Sequence, residues 1–536
     1  MNFDANFYPF KSRRMAQYAR GGMVATSQPL AAQAGLEVLK AGGNAIDAAI
    51  ATGAALTVVE PTSNGIGGDV FALVWIEAEK KLYGLNASGR APAGISLEKV
   101  RDAGHETMPK MGYLPVTVPG APSGWGDLSQ RFGKMTMAET LAPAVAYARN
   151  GFPISPVVGY YWQKAFEVYS KLKGAEFEGW ADTFAPNGKI PQIGEMWQSI
   201  GHAETLEEIG KTNGKSFYTG AIADAIAAHS SKHGGYLTKE DLASHANTWD
   251  EPISVNYRGY DVWEMPPNGQ GIAALIALNA LKGWDFTHRD CELGLHRQFE
   301  VMKLAYSAAK HYVTDPAHME FSPADFLTED YAEKLRSQVA DVAIEPIVNK
   351  PNSGGTVYLC TADGEGNMVS FIQSNYAGFG SGIVIPGTGI ALQNRGSDFS
   401  LDPKHPNALA GGKKTFHTII PGFMTKGGCA IGPFGVMGGY MQPQGHLQVV
   451  MNTVDFGMNP QAALDAPRWQ WMEGKNFTLE QDFPVHIAQQ LARRGHNIST
   501  PLDSGSFGRG QIIWKDKNGV LIGGCEPRCD SSIASY

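Results

Sequence analysis

GGTVYLCTADGEGNMVSFIQSNYAGFGSG, residues 354–382, decides the fold. TVYLCTA and NMVSFIQS are rich in β-branched and aromatic residues, and DGEG between them has the composition of a hairpin turn. The stretch predicts two antiparallel strands opening directly after a Gly-Gly pair. Thr356 is the first strand residue, and an internal β-branched Thr opening a strand is an ordinary structural element.

Outward from this hairpin the chain divides in character near residue 350. NKPNSGG (349–355) is rich in turn formers. Before it, the pattern is mainly helical. Pro29 suits a first helical turn, with Ala32, Leu36 and Leu39 on one face, and Gly42-Gly43 ends that helix. Asn44 is a suitable N-cap for AIDAAIATGAALTVV, whose small residues on nearly every side require close neighbours. A glycine-rich turn, Asn64 to Asp69, then feeds an apolar strand from Val70 to Trp75. Its glycines serve either a tight loop or backbone amides open to a ligand. From about 93 to 345 helices alternate with Pro/Gly loops. LAPAVAYARNGFPIS stops at Asn150-Gly151, Glu240 to Ser244 begins a short segment, MPPNGQG feeds an apolar helix, and EVMKLAYSAAKHYVTDP ends at Pro316. After the hairpin the remainder reads as mostly strand, with one helix from Pro460 to Ala466 capped by Asn459.

Composition bounds the function. Forty-four Lys and Arg against 52 Asp and Glu give a net charge of −8 over 536 residues, which argues against a general nucleic-acid binder. Hydrophobic residues at 43% support a large core. Glycine stands at 64 where average usage gives about 38, so many positions admit positive φ or close backbone approach. The five cysteines contain no CxxC pair and make no disulfide framework; Cys525 and Cys529 read as buried reduced thiols. The N-terminal stretch lacks the apolar core of a secretory signal, and the longest nearly apolar run, Ala48 to Val59, is too short to span a bilayer. A soluble, cytoplasmic protein is expected. GxSxG, HExxH, Walker A and strand-linked GxGxxG motifs are missing, and the 14 histidines, His405, His417 and His446 among them, show no close metal-ligand spacing. Spacing alone identifies no catalytic group.

Eight segments in order carry more: residues 21–51, 61–69, 116–125, 141–152, 266–281, 354–383, 392–400 and 435–448. Together they resemble the γ-glutamyltranspeptidase family, including its acylase-like members, over nearly the whole chain from about residue 20. The resemblance implies an α+β fold, a four-layer αββα sandwich of the N-terminal-nucleophile hydrolases, made as a precursor that cuts itself between Gly355 and Thr356. It implies a large subunit 1–355 and a small subunit 356–536 building one fold, a higher oligomer being possible, and no metal or organic cofactor.

Thr356 matches the family nucleophile. Chemistry supplies a reason: cleavage would free its α-amine, whose pKa of about 8 lets it take the hydroxyl proton near neutral pH. Gly354 and Gly355 would add little steric block to an N→O acyl shift. Gly438-Gly439 matches the family's oxyanion-hole pair, where one lost donor costs about 3 kcal/mol; a simple β-turn is the competing reading. Ser374 matches a hydroxyl that bonds the new α-amine, its plain alternative being a solvent-facing strand serine.

The substrate positions depart from the family. The Arg that grips a glutamate α-carboxylate aligns with Ser88 in NASGRAP, with Arg90 two residues on and, on an extended strand, on the same face. Asp398 matches the acceptor for the substrate α-amine. Three residues earlier an amide or acid becomes Arg395, the family's Asn is Tyr376, and its Ser-Ser pair is His417-Thr418. Arg395 either pairs with Asp398, leaving less charge for an ammonium, or adds a clamp for a carboxylate; a surface ion pair worth roughly 0–1 kcal/mol is the plain alternative. The leading expectation is a γ-glutamyltransferase or glutathione hydrolase cleaving γ-glutamyl amides, hydrolysis ahead of transfer. The alternatives are a glutaryl- or cephalosporin-type acylase and, from another class, an unprocessed binding module.

Overall fold

The computed structural model describes residues 14–346 and 355–536; the turn-rich stretch 349–354, Gly354 included, lies outside them. Two seven-stranded sheets organise the chain. The first runs Ser532–Ser535, Gly22–Thr26, Gly355–Asp363, Met368–Tyr376, Asp69–Ile76, Lys81–Ala87, Thr248–Asp250. The second runs Gln17–Ala19, Leu521–Cys525, Arg509–Lys515, Cys429–Met437, Gly422–Lys426, Tyr260–Glu264, Ile253–Tyr257. All their pairings are antiparallel.

Residue alternation explains how the sheets are covered. Val357 and Leu359, Val369 and Phe371, and Val70, Ala72 and Val74 share one apolar cluster with the helices Ala45–Val59 and Met137–Asn150. Their neighbours Tyr358, Cys360, Ile372, Phe71 and Leu73 share another with Phe423, Met437 and Ile513 of the second sheet. On that sheet Phe434, Val436, Ile512 and Trp514 join the helices Gly271–Leu281, Glu292–Tyr312 and Gln442–Val454 in a third. The period-2 backbone thus gives each sheet a helix-facing and a sheet-facing set.

The Gly355–Asp363 and Met368–Tyr376 hairpin and the helix Pro29–Lys40 form where expected. Asn44 caps Ala45–Val59 in a capping box with Asp47, and that helix is buried on every side. Two expectations need correction. The helical front supplies strands, Gly22–Thr26, Ile253–Tyr257 and Tyr260–Glu264 among them. The β-rich back holds two more helices, Gln442–Val454 and Val485–Arg493. Glycines of the Asn64–Asp69 turn serve close packing: a Cβ on Gly67 would meet Ala391 O at 2.3 Å, and one on Gly68 would meet Ser374 O at 2.5 Å.

All five cysteines are unpaired; Cys360, Cys525 and Cys529 are buried and Cys429 is exposed. No helix among the described residues is long and apolar enough to cross a membrane.

Candidate active site

Thr356 opens its strand beside Ser374, near the end of the hairpin partner. The two hydroxyl oxygens are 3.1 Å apart. Ser374 Oγ donates to Gly355 O at 2.8 Å and accepts from the Tyr376 N–H at 2.7 Å. A serine hydroxyl has one proton, and the carbonyl takes it. Thr356 is therefore the donor of the 3.1 Å bond. Ser374 is wholly buried, not the solvent-facing residue its strand pattern allowed. Thr356 itself is 1% exposed in the continuous chain. A Cβ on Gly355 would lie 2.9 Å from Gly378 N, so close backbone approach requires glycine here.

A closed circuit of polar contacts surrounds this pair. Arg395 reaches Ser374 Oγ at 3.5 Å and donates to Thr418 Oγ1 at 2.6 Å. Gln270 Nε2 donates to Thr418 O at 2.6 Å and to Gly439 O at 2.9 Å. Beside Gly439, Tyr440 donates to Asp398 Oδ1 at 3.0 Å, and Tyr376 donates to the same oxygen at 2.8 Å. The backbone N–H of Tyr376 returns to Ser374. Thr356, Ser374, Arg395, Asp398, Thr418 and Gly439 are thus brought together from segments far apart in sequence.

Gly438 sits at φ 138° and Gly439 at φ 59°, both in the range that favours glycine. Neither N–H donates to another group among the described residues. Two adjacent unpaired amides suit a developing oxyanion. A side chain on Gly438 would meet Gly508 Cα at 3.1 Å.

The charges are unusual for so enclosed a place. Arg395 is completely buried, its NH1 3.7 Å from Asp398 Oδ2, which removes the surface-ion-pair reading. Its Nε has no hydrogen-bond acceptor among the described residues. Its guanidinium also lies 4.3 Å from the Tyr376 ring centre. Burial raises the Asp398 carboxyl, opposed by Arg395 and Lys310. Lys310 Nζ lies 3.8 Å from the Tyr440 ring centre, and burial lowers its ammonium to about 8.

Two expected substrate residues point elsewhere. Arg90 lies beyond the strand Lys81–Ala87, so the same-face argument does not apply; its guanidinium bonds Asp315 at 2.8 Å and Gly412 O at 3.0 Å. His417 Nδ1 accepts from the Ile419 N–H, so its Nε2 carries the proton facing Asp69 Oδ2 at 3.0 Å. Burial lowers His417 well below the usual imidazole range and raises Asp69 to about 6. The pair ties the Thr418 segment to the strand Asp69–Ile76, whose Asp69 lies opposite Ser374.

The fold also gathers His296, Glu300 and His496, a grouping that sequence spacing hid because His496 is distant. It holds itself together: the His296 Nδ1 to His496 Nε2 distance is 2.8 Å, and Lys303 Nζ lies 2.6 Å from Glu300. The lysine already places a cation against the carboxylate.

Comparison with known proteins matches this arrangement to one family. The Gamma-glutamyltranspeptidase profile matches residues 31–536. The chain belongs to the γ-glutamyltranspeptidase family. As a member of that family it is an α+β hydrolase with the N-terminal-nucleophile fold. A crystal structure of a cephalosporin acylase from Bacillus halodurans resembles this γ-glutamyltranspeptidase-family chain at 58% identity and a TM-score of 0.97, covering 100% of this chain and 99% of the other. The glutathione hydrolase-like YwrD proenzyme of Bacillus subtilis is 36% identical over 95% of this chain and 97% of its own. The oxamate amidohydrolase proenzyme of Klebsiella pneumoniae is 32% identical over 96% and 98%.

Sequence reading left out three residues that complete this family member's site: Gln270, Lys310 and Tyr440. Gln270 stands 169 positions before Gly439, and its neighbours look like an ordinary Pro/Gly loop. Tyr440 adjoins the glycine pair, and its place next to Gly439 was the only local signal.

Proposed function

We propose that the protein is a self-processing acylase that cleaves amides of short dicarboxylic acids through a Thr356 acyl-enzyme. The carrying observation is Arg395: a fully buried guanidinium, 3.5 Å from Ser374 Oγ and with an Nε–H that has no acceptor among the described residues, beside the nucleophile. Such a group calls for an anion, and a planar carboxylate fits its fork. Similarity to a cephalosporin acylase at 58% identity supports this reading over a γ-glutamyl specificity. The hydrolase family weighs against a binding module.

Processing follows from the same hydroxyl pair. Thr356 Oγ attacks the Gly355 carbonyl carbon while its proton passes to Ser374 and the Ser374 proton moves toward the carbonyl oxygen. The Gly355–Thr356 C–N bond breaks as nitrogen gains a proton, leaving an ester. Water hydrolyses that ester, giving a Gly355 carboxylate and a free Thr356 amine. In turnover this amine takes the Thr356 hydroxyl proton, Gly438 and Gly439 hold the oxyanion, and water resolves the acyl-enzyme. Residues 1–355 and 356–536 are the two subunits, and the three shared apolar clusters support the αββα layering. Unpaired cysteines accord with a cytoplasmic location.

The test compares glutaryl and γ-glutamyl p-nitroanilides, which differ by one α-amine. A higher kcat/KM for the glutaryl compound is expected. A preference for the γ-glutamyl compound overturns the acylase reading.

A further inference from the structure

The acylase reading, on which this inference rests, leaves open what rejects the α-amine, because Asp398 is present. We infer that Tyr376 and Tyr440 determine specificity by occupying Asp398, so that the acyl pocket admits a dicarboxylic monoamide and excludes its α-amino counterpart.

Of the two Asp398 oxygens, Oδ1 is taken by hydrogen bonds, while Oδ2 has no hydrogen-bond partner among the described residues and lies only within ion-pair range of Arg395. Oδ1 accepts both tyrosine hydroxyls, at 2.8 and 3.0 Å. Oδ2 faces Arg395 NH1 at 3.7 Å. The carboxylate is 3% exposed, and the tyrosines are 2% and 4% exposed. An ammonium that approached Oδ1 would strip a buried phenol of its acceptor, leaving that hydroxyl unsatisfied away from water. One that approached Oδ2 would stand against a guanidinium in a medium of low polarity, where like charges repel strongly. The Lys310 ammonium, packed over the Tyr440 ring, adds a second nearby cation. A carboxylate meets none of these obstacles, since Arg395 and Lys310 both attract it.

Both tyrosines are held by more than the carboxylate. Tyr376 takes a positive φ of 76°, unusual for a bulky residue, with its N–H on Ser374 Oγ and its ring beneath Arg395. The Tyr440 ring stacks on Phe416 at 5.9 Å, and its carbonyl accepts from the Tyr306 hydroxyl. Removing either hydroxyl therefore changes one polar atom while ring packing stays. The segments carrying the two rings join only through the tertiary fold.

The experiment uses the processed enzyme with Tyr376→Phe, Tyr440→Phe and the double variant. kcat/KM is measured for glutaryl and γ-glutamyl p-nitroanilides, and competitive inhibition by glutarate and L-glutamate is measured on each single variant. The glutaryl to γ-glutamyl ratio is expected to fall at least tenfold in the double variant, through a lower KM for the γ-glutamyl compound. L-glutamate is expected to inhibit each single variant more tightly than wild type, a readout that survives poor folding of the double. Equal losses on both substrates, with unchanged glutamate inhibition, would mean the hydroxyls only support structure and would overturn the inference. A wild-type enzyme that prefers the γ-glutamyl compound instead sinks the acylase reading, which separates the two failures.

Discussion

Thr356 and Ser374 face each other at 3.1 Å, and the same Ser374 oxygen donates to Gly355 O at 2.8 Å. One hydroxyl therefore touches both the attacking group and the carbonyl it would attack. Ser374→Ala should slow self-cleavage by about 10–100-fold, the loss of one or two hydrogen bonds at the reacting centre. The half-time for appearance of the smaller fragments on a denaturing gel measures it. Unchanged half-times would remove Ser374 from the processing chemistry.

Arg395 should act on both affinity and proton transfer. Arg395→Gln removes a charge-assisted contact, so kcat/KM for a glutaryl amide should fall about 10–100-fold. A nearby cation also disfavours an ammonium, so wild-type Arg395 should hold the Thr356 α-amine below its ordinary pKa of about 8. The acid limb of the kcat profile should move upward in the variant. A profile that stays in place contradicts that electrostatic role.

Gly438 and Gly439 adopt positive φ, with amides that are unpaired among the described residues. Gly438→Ala brings its Cβ against Gly508 Cα and should lower kcat about 10²–10³-fold with little change in KM, as expected for lost oxyanion donors. Steady-state kinetics on protein with a wild-type circular dichroism spectrum separates this from misfolding.

Asp69 gives a pH-dependent signature in stability. Its folded value of about 6 lies above the ordinary carboxylate value, mainly through burial. The native state then binds the proton more tightly, so this contribution to stability is complete below about pH 4 and is lost as pH rises through about 6. Asp69→Asn lacks it. The urea unfolding free energy of the variant relative to wild type should rise by on the order of 2–3 kcal/mol between pH 4 and pH 7. A difference that does not vary with pH would refute the assignment to Asp69.

Legibility in the sequence followed locality. The hairpin 355–376 and the Asn44 cap are written in neighbouring residues, and both formed as read. The helix Gln442–Val454 was missed because its polar Gln442, Gln444, His446, Gln448 and Asn452 are themselves buried, so no apolar-in, polar-out pattern marks it, while the Gly438-Gly439 pair suggested a turn. Pro443 in fact sits in the first helical turn, where a missing N–H is harmless. The strands Ile253–Tyr257 and Tyr260–Glu264 are short and take their place only by pairing with Gly422–Lys426. At the site, Thr356, Ser374, Asp398 and the glycine pair came from segments recognised in order. The charge change at Arg395 and its pairing with Asp398 were visible, whereas its contacts with Thr418 and Tyr376 arise only through the tertiary fold. Arg90 shows the opposite error, since a same-face argument fails once the strand has ended at Ala87.

Intact mass spectrometry of the freshly purified protein tests the central claim most directly. Two polypeptides are predicted, the smaller having Thr356 as its amino terminus and both remaining associated in the native state. A single uncut chain with full amidase turnover, or a new terminus at any other residue, would contradict it.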